Sequence, residues 1–433
     1  MAGLAHIDSP LSEVMLLRVR SYQLPMLAGA VLCLFSAWYF ALVIAPSALN
    51  ARSPTVQQGL VPEWLGCREI LHGRDPYRLE VTQQAELAIY GETVSASSPA
   101  NQHRFAYPVF FIFLFFPIAL LPFDVAQWVM LAACVALSVL SVGWWSGRAR
   151  LNKLDTVSFA ILTFAAYPTV VGLQLRQPTL IVAALLAFSV GCARSGRLVL
   201  AGVAAALAAS KPQLAVAVLL PLSAWAVCSW RIRKAFLISL AASLLGLTLA
   251  SELAVPGWIT PWLSTMRAYS HYAGARPLLA DLTHGHFFIP AAPLLIAAVV
   301  WVSIEFCSSD LLYSIGFSVA AFQLLFPFQL YNEVLLLPAA LWAAMNTDRI
   351  RQRGQLPVLV FGCAWIALSS GWMATLMLSL WNIAAPGSGI KLWQLPLVAA
   401  WLYPMLLFAA YATFAASCVL ARQRAPLARP VAA

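Results

Sequence analysis

Side chains that could do chemistry collect in a few places along an otherwise apolar chain. Glu63, Arg68, Glu69, His72, Asp75, Tyr77, His103, Arg104 and Tyr107 fall in or beside the polar interval 49–105. Short polar breaks further on carry Gln174, Arg176 and Gln177, then Lys211 and Gln213, then Tyr331, Asn332 and Glu333. A second polar interval, 254–287, adds Arg267, His271, Tyr272, Arg276, Asp281, His284 and His286. Carboxylates, cations and phenols gathered on one face of a bilayer suit a site that binds an anionic head group. Each residue also has a plainer reading. Arg68, Glu69 and His72 fit the wet face of an amphipathic helix. Arg176 and Lys211 fit cations snorkelling from helix ends, and Glu333 fits a carboxylate at a helix start. His284 and His286 alone make a weak metal motif.

The elements that must position these residues are set by composition. Of the 433 residues 62% are hydrophobic and 10% charged, with a mean hydropathy of +0.82. Soluble domains carry about 25% charged residues, so a water-soluble fold is excluded. The net charge of +10 marks cytoplasmic loops in a membrane protein rather than nucleic-acid binding. Eight cysteines without a CxxC pair indicate neither a disulfide framework nor a zinc site.

Apolar segments fall at 25–48, 106–122, 124–146, 156–173, 178–193, 197–210, 212–230, 235–253, 288–306, 311–327, 333–346, 356–381 and 394–420. They predict an all-α polytopic membrane protein of one transmembrane domain, 1–433, because only helices or closed barrels satisfy the backbone in hydrocarbon. The first segment, following Arg18 and Arg20, reads as a retained signal anchor. Within 49–105 the spacing of Leu60, Trp64, Cys67 and Leu71 predicts an interfacial amphipathic helix stopped by Gly73, with a second over 79–90. Basic clusters at 148–153, 194–197, 231–234, 349–353 and 422–429 alternate correctly if all are cytoplasmic. The intervals 49–105 and 254–287 then face outside. An odd number of crossings is needed between the first loop and Arg148, which two full spans would break: either segment 106–122, with Pro108, Pro117 and Pro122, does not span fully, the preferred reading, or the Arg148 cluster lies outside.

The order of these features resembles the GT-C membrane glycosyltransferases, in particular family 87, over about residues 25–345. The similarity rests on Trp64-Leu65-Gly66-Cys67-Arg68 leading to Gly73-Arg74-Asp75-Pro76-Tyr77, and on Phe105-Ala106-Tyr107-Pro108, which is similar to a Tyr-x-Tyr-Pro element. Arg176-Gln177-Pro178-Thr179 resembles a Gly-Gln-x-Asn turn in which only Gln177 matches. Gly202 to Lys211-Pro212 resembles a Gly-rich helix ending in Lys-Pro, and 327–338 resembles a late Tyr-Asp turn, here Tyr331-Asn332.

The resemblance implies a GT-C-like bundle of about 11–13 transmembrane helices. It implies transfer with inversion: a hexose, mannose being one candidate, moves from a polyprenyl-phosphate donor to a glycan or glycolipid acceptor outside a bacterial-type plasma membrane. The partners are thus a lipid-linked sugar, an acceptor and membrane lipid. No cofactor is indicated, and a divalent metal is left open. A sugar hydroxyl needs a general base, and a leaving phosphate needs cations. The family's acidic position aligns with Gly59, so Glu63, one helical turn on, is the expected base, with Asp75 second and loss of catalysis as an alternative. Arg68, Tyr77, Arg104, Tyr107, Arg176, Gln177, Lys211, Tyr331, Asn332 and Glu333 are the expected substrate-binding residues. A flippase or transporter is the rival reading, disfavoured by the lack of internal repeats. A lipid-diphosphate polymerase is disfavoured by an interval 382–393 whose one basic residue is Lys391.

Overall fold

A computed structural model describes residues 25–35, 37–38, 54–95, 101–269, 277–326, 329–386 and 395–424. The end of the first apolar segment, His271, Tyr272 and Arg276, and Lys391 lie outside the described residues. The described residues form α-helices and two short 3-10 helices, and no strand. Each apolar segment drawn from the sequence falls at least in part on helix among the described residues. Among the described residues four helices are long and apolar enough to cross a membrane: Phe123–Gly147, Trp230–Ala254, Phe288–Glu305 and Val398–Gln423. Two bent pairs raise the number to six, and seven shorter apolar helices complete the set. The chain is an all-α multi-pass membrane protein.

Both bent pairs read as single segments in the sequence. Lys153–Ala165 and Tyr167–Gln174 meet at 55°, and Gln355–Ala367 and Ser370–Trp381 at 44°. The first break comes just before Pro168, whose ring suits the first turn of a new helix and not the interior of an old one. The second falls at Ser369-Ser370-Gly371, a small-residue sequence of the kind that kinks helices. The two breaks pack on each other. Trp372 stacks edge-on against Tyr167 with ring centroids 4.8 Å apart. Its indole N–H donates to the carbonyl of Ala165 at 2.8 Å, satisfying an acceptor at a helix end.

Segment 106–122 does not cross. Its regular part is three residues of 3-10 helix, Val109–Phe111, and eight of α-helix, Ile112–Ala119. At ~1.5–2 Å per residue this is about 18 Å, against ~30 Å of hydrocarbon. Both its ends are tied to the first loop. Tyr77 donates its hydroxyl to the Tyr107 carbonyl at 2.7 Å, and Trp64 donates its indole N–H to the Leu121 carbonyl at 3.0 Å. Chain entering and chain leaving therefore lie at the same end of the bundle, and helix Phe123–Ala149 starts from that end. The parity conflict in the basic clusters disappears.

The first loop folds as its periodicity predicts, with helices Pro54–Leu71 and Leu79–Tyr90. Leu60 and Cys67 are fully buried. Glu63 departs from the simple two-faced pattern, for it too is buried, at 7% exposure. Pro62 sits inside the first helix without ending it, so residues 59 and 63 do share a face. Gly66 matters because a Cβ there would lie 2.2 Å from the Phe105 ring. Its bare backbone lets the 101–107 loop lie flat on the helix, which delivers Tyr107 to the site.

The opposite end of the bundle gathers the basic clusters. Arg349 pairs with Asp310 at 2.7 Å, and Arg422 pairs with Glu305.

Candidate functional site

Helix ends and loops that are far apart in sequence meet around one cavity of about 600 Å³. The first-loop helix brings Gln58, Gly59 and Glu63, and the loop after it brings His103, Arg104 and Tyr107. Gln177 comes from the turn into helix Thr179–Arg194, Lys211 from the turn into helix Pro212–Val227, and Tyr331 and Asn332 from the 3-10 turn Leu330–Leu336. Helix Ile259–Tyr269 closes the space with Trp262 and Met266. Glu63, Arg104, Tyr107, Gln177, Lys211, Tyr331 and Asn332, all singled out in the sequence, are thus brought together.

Lys211 is 5% exposed. Its ammonium donates to the Thr179 hydroxyl at 2.5 Å, and that hydroxyl donates to Asn332 Oδ1 at 3.1 Å. The Asn332 carbonyl in turn accepts from the Gln323 amide at 3.0 Å. The Nζ lies 4.7 Å from the Tyr331 ring centroid and 5.9 Å from that of Tyr107, where ring quadrupoles favour a cation. Burial nevertheless pulls its pKa down to about 7, against the pull of Glu63 in the other direction.

Glu63 is the one acidic residue lining the cavity among the described residues. One carboxylate oxygen is buried without a hydrogen-bond partner, and the carboxylate accepts from the Tyr107 hydroxyl. Burial pushes its pKa up to about 7, outweighing its backbone hydrogen bond, Lys211 and Tyr107, which all act to lower it. A carboxylate beside cations would stay ionised by charge alone. Here desolvation wins, and the group is poised near neutrality, where a general base works best.

Gly59, expected from the resemblance to stand at an acidic position, is a glycine for a reason of its own. A Cβ at Gly59 would lie 2.1 Å from the Leu175 carbonyl oxygen, and the Gly59 carbonyl accepts from the Gln177 amide at 3.2 Å. The two chains touch backbone to backbone, so no carboxylate can be hung from residue 59 as the helix now sits. We expect Gly59→Asp to lower the yield of folded protein rather than supply a second base, measured by size-exclusion recovery and transfer rate together. Recovery equal to wild type with faster transfer would contradict this.

Other expected residues stand outside the cavity. Asp75 accepts from the Tyr77 amide at 2.8 Å and shapes the turn. Tyr77 holds Tyr107 through its carbonyl. Arg68 lies over the Trp64 ring at 4.6 Å. Glu333 is buried at 2% exposure behind the 3-10 turn, with one oxygen unpartnered, rather than at a wetted helix start.

Arg176 is 1% exposed and does not line the cavity, so it does not snorkel. Its guanidinium lies 5.7 Å from the Trp128 ring centroid, with Nε and Nη2 unpartnered. Its φ of +52° is left-handed, which explains why the resembling turn has glycine there. Strain of about 1–2 kcal/mol and unmet donors costing about 1–3 kcal/mol both favour Arg176→Gly. That variant should melt higher, by a few degrees, with unchanged donor use. A lower melting point, or weakened donor binding, would contradict it.

Sequence reasoning passed over Thr179, Trp262 and Met266. Thr179 was hidden by standing where the resembling turn has Asn. Trp262 stands in a polar interval among other candidates, and only the amphipathic run 259–269 could have signalled it. No group of three or more His, Cys, Asp or Glu placed to hold a metal ion occurs among the described residues.

No curated protein matches the chain. Residues 105–327, just over half of it, match glycosyltransferase family 87. The matched range holds Tyr107, Gln177, Thr179, Lys211 and Trp262, while Glu63 and Asn332 lie beyond it on either side. Membership of this family makes the chain a glycosyltransferase, with a sugar donor and an acceptor as its substrates. With more than half its length matching, the chain belongs to glycosyltransferase family 87.

Proposed function

We propose that the cavity is the reaction site of a GT-C-type hexosyltransferase using a polyprenyl-phosphate donor, with mannose one candidate sugar. The observation that carries this reading is the pairing of one buried carboxylate with one buried ammonium on the wall of a single cavity at a bundle end. Lys211 holds the donor phosphate, and Arg104 adds a second cation. Glu63 takes the proton from the acceptor hydroxyl as that oxygen attacks the anomeric carbon. The bond from that carbon to the phosphate oxygen breaks, and polyprenyl phosphate leaves with its charge on Lys211. One carboxylate supports a single displacement, hence inversion, because double displacement needs a nucleophile besides the acid–base group. The alternation of basic clusters supports placing this end outside the membrane.

Transfer by purified protein in nanodiscs, offered a panel of polyprenyl-phosphate hexoses and nucleotide hexoses, tests the reading. Product is expected only with the lipid-linked donors, and product from nucleotide sugars alone would overturn it. The same assay should show a bell-shaped dependence of kcat/KM on pH. The rising limb is loss of the Glu63 proton, and the falling limb is loss of the Lys211 charge. Both are centred near the value of about 7 to which burial moves each group. A rate flat from acid to alkaline conditions would contradict these roles.

A further inference from the structure

A second cavity, of about 330 Å³, lies between helices Pro25–Phe35 and Gln355–Ala367. Its walls are apolar and partly small, with Gly29, Leu32, Val358 and Gly362 among them, and one charged residue, Arg351, lines it. The stretch Leu330–Met345 connects the two cavities. It starts beside Tyr331 in the reaction cavity and ends just before Arg351. Seven 3-10 residues and nine α-helical residues rise about 27 Å, close to the thickness of a hydrocarbon core. The second cavity therefore sits at the far end of the bundle, with Arg351 on its wall and Arg349 and Arg353 two residues away in the sequence.

Two of these arginines are used differently. Arg349 is held by Asp310 at 2.7 Å, whereas the contact of Arg351 with Asp348 is a loose 3.8 Å between groups 59% and 44% exposed. Such a pair contributes little and yields readily to a better anion. Hydrocarbon is what a bilayer offers to an apolar groove between helices, and a half-exposed arginine on its wall, Arg351, favours a head group of net negative charge. Gly362 keeps the groove open, since a Cβ there would meet no atom within 4 Å. We propose that this groove binds one acyl chain of an anionic phospholipid whose phosphate pairs with Arg351, a lipid site separate from the reaction cavity.

Native mass spectrometry of the full chain, titrated with phosphatidylglycerol and with phosphatidylcholine, tests this. Wild type should retain phosphatidylglycerol in preference. Arg351→Gln should lower that retention about fivefold, Arg351→Lys should keep the preference, and Gly362→Leu should reduce retention of both lipids by filling the groove. Transfer activity, read in parallel, reports whether each variant is folded. Equal retention of the two lipids by wild type, or undiminished phosphatidylglycerol on folded Arg351→Gln and Gly362→Leu, would overturn the proposal. So would a photoreactive side chain at position 362 that captures residues 1–24 of the chain instead of lipid.

Discussion

Replacing Glu63 with Gln should cut transfer by ~10²–10⁴, the usual cost of losing a general base, while donor binding survives. Gln keeps the size and one carbonyl oxygen for the Tyr107 hydroxyl, but it has no basic oxygen to take the acceptor proton. Folding should be little affected, because a carboxyl poised near neutrality is already partly protonated in the wild-type protein. One consequence runs through Lys211. Glu63 raises the lysine's pKa, so its removal makes the ammonium easier to discharge. Donor binding by the variant should therefore match wild type at acidic pH and fall away at a lower pH than in wild type, where Lys211 discharges near 7. Single-turnover rates and equilibrium binding of a polyprenyl-phosphate hexose, measured side by side, separate the two effects. Turnover within a few fold of wild type would remove Glu63 from the mechanism and shift attention to Asp75.

Lys211→Gln should act on the other substrate. Removing one partner from a buried, hydrogen-bonded charge contact costs about 2 kcal/mol or more, a weakening of donor binding by roughly 30-fold or more. Gln can still reach toward the Thr179 hydroxyl, so the Thr179–Asn332 link and the fold should persist. The pH profile provides a signature that a structural role would not give. Lys211 lowers the pKa of Glu63. Without it the carboxyl holds its proton to higher pH, and the rising limb of the rate profile moves upward. Unchanged donor affinity together with an unmoved limb would reduce Lys211 to a membrane anchor.

The parts of this account visible in the sequence are those governed by short-range rules. Hydrophobic runs located the helices, and helical spacing with Gly73 placed the first-loop helix. Basic clusters organised the ends, where Arg349 and Arg422 now meet Asp310 and Glu305. Seven expected substrate or catalytic residues reach the cavity because each lies in a loop, at a helix end or on the first-loop helix, and those segments converge. What stayed hidden depends on contacts across the chain. Nothing local to residue 59 shows that Leu175 presses on it, and nothing near Arg176 shows that its side chain turns toward Trp128 instead of toward Lys211. The near-neutral pKa of Glu63 is likewise a burial effect, set by elements up to 270 residues away in the sequence, such as the turn that carries Asn332. Breaks at Ala166 and Ser369 were missed as well, although Pro168 and Ser369-Ser370-Gly371 stand at them, because the apolar run resumes beyond each.

The central claim is that donor and base meet in the cavity between Glu63 and Lys211. Electron cryomicroscopy of the Glu63→Gln protein in nanodiscs, soaked with an intact polyprenyl-phosphate hexose, tests it most directly, because the variant should hold the donor without consuming it. The account predicts the phosphate within about 3 Å of Lys211 Nζ, the sugar beside residue 63, and the isoprenoid tail leaving between helices toward the lipid. Donor density elsewhere in the bundle, with this cavity empty, would contradict it.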